Sequence, residues 1–218
     1  MTAYEKLRAA RGSKRPTGAA YVKNIFTDCV ELHGDRRFGD DPAIVSGVGF
    51  LGDIPVTYIA IDKGADINER IKKNFGCPKP DGYRKALRLM KQAEKFHRPV
   101  ICFVDTQGAF CGADAEERGQ GEAIAENILE MMGLATPVVT IVIGEGGSGG
   151  ALALAAADKV YMLENSVYSV ISPEGCASIL WKDAGRVSDA AEALHITAED
   201  MRRYHVADDI IPEDFDNF

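Results

Sequence analysis

Two stretches of this 218-residue chain, "PVICFVDT" from Pro99 and "PVVTIVIG" from Pro137, share one organisation. Each is an unbroken apolar run. Each leads into a glycine-bearing loop, "QGAFCGAD" or "EGGSGG", and then into a helical pattern. An apolar run without alternation is a strand covered on both faces, and a helix between two such strands makes them parallel neighbours. The chain is thereby held to an α/β architecture. Its two glycine loops should leave the same edge of the sheet side by side. Hydrophobic residues make up 46% of the chain, enough for the core this requires.

The remaining elements follow from periodicity. "YVKNIFTDCVELHGD" aligns Val22, Ile25, Phe26, Cys29, Val30 and Leu32 on one helical face, ended by Gly34. "AIVSGVGFLGDIPVTYIAID" reads as two strands turning at Gly52-Asp53. "DGYRKALRLMKQAEKFH" is an amphipathic helix with Tyr83, Ala86, Leu87, Met90, Ala93 and Phe96 in its apolar stripe. A helix is expected from Asp114 as N-cap, with Glu117 three residues on, to Gly133; Ile124, Ile128 and Met131 form its stripe. Gly119 and Gly121 lie inside it and suggest close approach by a neighbour. "KVYML" and "VYSVIS" read as short strands, Ser172-Pro173 and Thr197 with Asp200 as helix starts, and "ADDIIPE" as a last extended segment.

Charge and cysteine content exclude several classes. The net charge of −8 argues against a general nucleic-acid binder. The five cysteines, an odd number with no C-x-x-C pair, indicate a reducing compartment and no structural zinc site. The N-terminus "MTAYEKLRAARGSKRP" lacks the apolar core of a secretory signal, and no apolar run reaches membrane-span length, so a soluble, cytoplasmic protein is expected. His33, His97, His195 and His205 show no metal spacing. Glu116 and Glu117 read as first-turn acids complementing a helix dipole. Between Arg70 and Arg98, ten Lys or Arg face only two acids. That run is either a solvated helix face or a local anion or partner site.

"GEGGSGGALALAAAD", from Gly144, is the densest use of glycine, and each glycine costs about 0.5–1 kcal/mol relative to alanine in a regular element. Gly144, Gly146 and Gly149 satisfy G-x-G-x-x-G, with Glu164 where a ribose-binding acid would fall. Against a dinucleotide site stand the short following helix, the late position, and a second glycine loop that one pyrophosphate does not need. "GGSGG" also meets the serine-elbow pattern through Ser148, with no convincing Asp and His in order. Two readings remain: tight packing at a strand-to-helix turn, or unshielded N–H donors for an oxyanion.

At these residues the chain resembles the α subunit of bacterial acetyl-CoA carboxylase carboxyltransferase. The resemblance lies in "DDPAIVSGV", "KKNFGCPKPDGYRKALRLMKQAEKF", "FVDTQGAF", "AEERGQGEAIAENI", "IGEGGSGGALALA" and "YSVISPEGCASILWKD", nearly continuous from Asp40 to Asp183, with "LHGDRRFGDD" as entry segment. It implies a crotonase-like (ClpP/crotonase) α/β fold of repeated ββα units with flanking helices. It implies one domain over 1–218, with an N-terminal helical segment at 1–38, the crotonase-like core at 40–183 and a C-terminal helical segment at 184–218. The implied activity is carboxyl transfer from carboxybiotin, presented by biotin carboxyl carrier protein, to acetyl-CoA, giving malonyl-CoA for fatty acid synthesis. Another acyl-CoA acceptor, or a stand-alone crotonase-fold hydratase or isomerase, is the alternative.

The resemblance also implies a site. Gly146 and Gly147 would supply a backbone oxyanion hole, with Gly108, Ala109, Phe110, Ser148 and Gly149 lining the carboxybiotin cavity. Arg84, Lys85 and Arg88 are candidates for partner or CoA-phosphate contacts. No metal is expected on this chain; the zinc belongs to a β subunit in an α2β2 assembly, served by biotin carboxylase in the ATP-dependent holoenzyme. Two departures fall in one loop, where family members commonly read D-T-P-G-A-Y: Gln107 and Phe110 replace the proline and the tyrosine. Asp62 also stands where the family often has a polar aromatic residue, and longer relatives continue with further C-terminal helix.

Overall fold

The turn at Gly52-Asp53 forms as expected. In the computed structural model, which describes residues 1–215, strands β2 (Ile44–Leu51) and β3 (Ile54–Ile61) pair antiparallel around it. Ahead of them come α1 (Ala3–Ala10), α2 (Gly18–Ile25) and β1 (Thr27–Glu31). After them α3 (Ile67–Lys72) and the long α4 (Pro80–Lys95) cross over to β4 (Val100–Thr106). The helices α5 (Ala113–Glu117) and α6 (Gln120–Met131) lead to β5 (Val138–Gly147), and α7 (Ser148–Leu152) to β6 (Lys159–Leu163) and β7 (Val167–Ser169). The chain continues through α8 (Pro173–Trp181), α9 (Val187–Ala193) and α10 (Ala198–Arg203) to β8 (Asp209–Ile211).

The sheet runs in the order β1-β2-β3-β4-β5-β6-β8, with β7 pairing the end of β5. From β3 onward its neighbours are parallel. The period-two pleat sorts β3 to two faces. Ile59 and Ile61 meet Ala86, Leu89, Met90 and Ala93 of α4. Val56, Tyr58 and Ala60 meet Tyr21, Val22 and Phe26 on the opposite side. Large side chains buried completely, as Leu89 and Met90 are, each contribute about 1.5–3 kcal/mol.

Several expectations need correction. The helix read through Leu32 ends at Ile25; Phe26 leaves it extended, and Thr27–Glu31 pairs with β2 as an edge strand. Local periodicity cannot see that free sheet edge. The helix expected from Asp114 to Gly133 is two helices. Gly119 adopts a left-handed conformation (φ 82°), which glycine reaches without the penalty of a Cβ, and Gly112 rather than Asp114 is the first N-cap. Gly121 faces open space, so nothing approaches it closely. The segment 1–38 is not purely helical, since it supplies β1, while the extended segment expected within 184–218 forms as β8. Phe96, assigned to the apolar stripe of α4, is an exposed C-cap covered by Arg98 and Lys95.

Candidate active site

The two glycine loops meet. Strand β5 does not stop at Ile143 but runs through Gly144-Glu145-Gly146-Gly147, and α7 begins at Ser148. What read as a loop is therefore the strand end, paired on one side with Thr106 of β4 and on the other with β7. Four glycines of the stretch are explained by named neighbours. A Cβ on Gly144 would lie on the Asp105 carboxylate, one on Gly146 2.7 Å from the Tyr168 ring, and one on Gly147 2.1 Å from the Gln107 carbonyl oxygen. On Gly150 it would sit 2.5 Å from the Ala109 nitrogen and 2.8 Å from the Tyr83 hydroxyl. Gly149 alone in the group has ordinary room, with Ile124 at 3.4 Å.

The loop after β4 is fixed from within and without. Thr106 Oγ1 accepts from the Gly108 N–H at 3.0 Å and donates to the Gly108 carbonyl at 2.8 Å. The Phe110 N–H donates to the Pro78 carbonyl, and Gln120 Nε2 donates to the carbonyls of both Pro78 and Phe110. Lys79 Nζ stands 4.8 Å over the Phe110 ring. These ties hold the loop with Gln107 and Phe110 in place of proline and tyrosine.

A cavity of 300 Å³ opens where β5 becomes α7. Ser148 and Gly149 form its polar lip; Leu152, Tyr168, Val170 and Met201 are among its apolar walls. The first-turn N–H groups of α7, those of Ser148, Gly149 and Gly150, have no preceding helical carbonyl to bond. Of the residues expected to line a carboxybiotin cavity, Ser148 and Gly149 lie on this one. Gly108 and Ala109 instead back the α7 turn at Gly150, while Phe110 faces Lys79 and Gly112. Gly147 is half-buried at the junction, and Gly146 is buried under Tyr168.

Behind the junction lies a cluster that no local motif announces. Lys63 Nζ sits 2.6 Å from Asp105 Oδ1 and 3.3 Å from Glu145 Oε2. The Glu145 N–H donates to the same Asp105 oxygen at 2.8 Å. Arg11 joins Glu145 (2.9 Å) to Glu174 of α8 (2.6 Å). Burial opposes the Lys63 ammonium, but Asp105 and Glu145 outweigh it and hold its pKa above the ordinary lysine value. The partners come from positions 11, 63, 105, 145 and 174. The only sequence hint was an acid closing each apolar strand, Asp105 and Glu145.

The basic face of α4 is largely satisfied internally. Lys85 is 1% exposed, donating to Asp40 at 2.6 Å and to the Asp41 carbonyl at 2.8 Å. Arg84 is held by Asp35 and Asp81, both at 3.0 Å. The expectation of an external phosphate or partner contact thus fails for Lys85, whose ammonium lies in the interior, and for Arg84, whose charge is already matched. Arg88 reaches only backbone carbonyls, those of His33 and Gly34. Asp62, the other departure, is fully buried, bound by Lys73 and accepting from the Ala19 N–H at the start of α2. Among the described residues no cluster of His, Cys, Asp or Glu is arranged to hold a metal, and no helix is long and apolar enough to cross a membrane.

This sheet, with α4 and α6 on one face and a glycine strand-to-helix junction at its edge, is the crotonase-like fold of solved carboxyltransferases. A transcarboxylase 12S chain superposes with a TM-score of 0.79 at 18% identity, covering 95% of this chain and 41% of that one. The β subunit of Pseudomonas aeruginosa geranyl-CoA carboxylase gives 0.73 at 18% identity, covering 97% and 42%. The acetyl co-enzyme A carboxylase carboxyltransferase-like family profile matches residues 1–217, and the chain belongs to this family. The acetyl-coenzyme A carboxylase carboxyl transferase subunit alpha of Ruminiclostridium cellulolyticum is 62% identical over 218 residues, covering all of this chain and 84% of that protein. A Clostridium tetani protein named for subunits beta/alpha is 58% identical over 213 residues, covering 98% of this chain and 37% of its own length.

Proposed function

We propose that this chain is the α subunit of a biotin-dependent acetyl-CoA carboxyltransferase. With a β subunit it moves the carboxyl group of carboxybiotin, delivered by a carrier protein in the cytoplasm, to acetyl-CoA, forming malonyl-CoA. The observation that carries the reading is the junction at Gly147, where β5 ends, α7 begins and the cavity opens, in a chain that belongs to the carboxyltransferase family along nearly its whole length. Carboxybiotin supplies the transferable carboxyl group, and its uncharged ring system suits apolar walls with N–H donors at one lip.

This chain contributes orientation and electrostatic stabilisation. Negative charge gathers on oxygen during the transfer, and fixed backbone donors in a site closed to water meet it without reorganising. Removing one such donor typically costs about 2.7–4 kcal/mol. The sequence pointed to Gly146-Gly147; the exposed side of the junction favours donors from Gly147 to Gly149, with Gly146 acting as the floor beneath Tyr168. The tied loop Gly108–Phe110 keeps that turn from moving.

The test is decarboxylation of malonyl-CoA in the presence of a biotin analogue, using this chain alone and with a β subunit. Turnover is expected only from the pair. Turnover by this chain alone would overturn the two-subunit reading and favour a stand-alone crotonase-fold enzyme.

A further inference from the structure

A second cavity, of 400 Å³, lies between α4, α6 and the segment 33–40, and it shares no lining residue with the one at Ser148. Its floor is built around Asp35. One carboxylate oxygen, Oδ1, accepts the N–H groups of Arg37 (2.9 Å), Phe38 (2.7 Å) and Gly39 (3.0 Å), while Oδ2 accepts from Arg84. The folded loop holds Arg36 at φ 65°, a conformation a non-glycine residue adopts at a cost. In that position Arg36 NH1 donates to the His33 carbonyl at 2.8 Å, and Arg88 NH2 donates to the same oxygen at 3.1 Å. Two guanidinium groups from separate elements thus converge on one carbonyl.

Neither has a carboxylate within ion-pair distance among the described residues, although acids surround them. Asp35 is taken by the loop and Arg84, Asp40 by Lys85, Glu126 by Arg37 and Glu130 by Lys91. Burial and the neighbouring charge of Arg36 lower the Arg88 pKa and outweigh the upward pull of Asp35 and Asp40, neither of which touches Arg88. The carbonyls occupy one edge of each guanidinium. A guanidinium carries five N–H donors in a planar fork that matches phosphate oxygens, so donors remain for a ligand. In a chain of net charge −8, this is a prearranged pair of cations with no carboxylate in ion-pair contact among the described residues.

We propose that Arg36 and Arg88 form a binding site for a phosphate group carried by a small ligand, lying outside the carboxyl-transfer site. The ligand class is a nucleotide or a nucleotide-bearing coenzyme, whose phosphate would bridge the two guanidinium groups. The proposal does not depend on the oxyanion-hole reading.

Titration calorimetry of the full chain with inorganic pyrophosphate tests it. Binding is expected at low salt, weakening as salt rises. Arg36→Ala with Arg88→Ala should lower the affinity about tenfold or more, whereas Lys14→Ala with Lys23→Ala, an exposed pair elsewhere, should not. Arg36→Ala alone, on a surface loop, keeps the test valid if the double variant unfolds. ADP, coenzyme A and 3′-dephospho-coenzyme A separate the sources. An arginine-dependent preference for coenzyme A over its dephospho form assigns the site to the 3′-phosphate; equal binding of ADP and pyrophosphate assigns it to a free diphosphate. No measurable pyrophosphate binding, or equal losses in the two double variants, would overturn the proposal.

Discussion

Gly147 offers the sharpest test of why glycine is used at the junction. Its backbone (φ −98°, ψ 121°) is open to any L-residue, so conformational freedom is not the reason for glycine there. Its neighbour is. A methyl at Gly147 would lie 2.1 Å from the Gln107 oxygen and 2.3 Å from its carbonyl carbon. Real Cβ contacts stay beyond 3.0 Å, so Gly147→Ala must push backbone against backbone by about an ångström. Thr106 is registered against Gly146 and bonded twice to Gly108, so the movement falls on the turn that carries the donors. A 1 Å misplacement of reacting groups costs about a hundredfold in rate, on the order of 2.7 kcal/mol. Gly149→Ala, with only Ile124 at 3.4 Å, should keep turnover within about threefold, under 0.7 kcal/mol. The assay is malonyl-CoA decarboxylation by each variant assembled with a β subunit, with thermal melting as a check on folding. Full turnover in Gly147→Ala, or an equal loss in Gly149→Ala, would refute the steric argument.

Three further outcomes follow from buried groups. Burial raises the Asp35 pKa, but the N–H groups of Phe38, Arg37 and Gly39 and the Arg84 guanidinium outweigh it and hold it at about 2. A depressed carboxylate stabilises the fold fully above its unfolded value near 3.8, and that stability is lost as pH falls toward 2. Asp35→Asn should remove roughly 2 kcal/mol at pH 7 and flatten this acid limb in denaturant melts. Lys85→Met should destabilise the chain by about 1–3 kcal/mol in urea unfolding, since Asp40 and the Asp41 carbonyl lose a buried donor. Thiol titration of the native protein should modify Cys111 and Cys29 first; Cys102, fully buried and pushed up to about 12, should react only on unfolding.

The sequence carried the sheet and the pairing of the two glycine loops, because unbroken apolar strands followed by helices admit few arrangements. It misled where tertiary context decides. Cys29, Val30 and Leu32 fit a helical face as well as an edge strand, and only the free edge of β2 selects the strand. Glycine density drew attention to the β5–α7 junction but left two explanations open. The structure shows that close packing accounts for Gly144, Gly146, Gly147 and Gly150, so the proposed donor role rests on where the turn opens and not on glycine content. The Lys63–Asp105–Glu145 cluster was illegible because its members are about 40 residues apart, joined by strand register alone. Lys85 shows the converse: a cation on a basic helix face looks solvated in sequence and is interior because segment 40–41 folds over it.

The first helix and the segment that follows it are tied to residues far along the chain. The Ala3 N–H donates to Glu192, Lys6 pairs with Glu199, and Arg15 pairs with Glu213, which also accepts from Asn165. The contacts of Ala3, Lys6 and Arg15 close loops of 189 to 198 residues. Contacts so remote in sequence pay their loop-closure entropy late, and docking of α1 should be the final and slowest step of folding. Arg11, the C-cap of that helix, also grips Glu145 beside the glycine junction, so an undocked helix would leave the junction without one of its ion pairs. Docking of the first helix is in this way coupled to the order of the glycine junction.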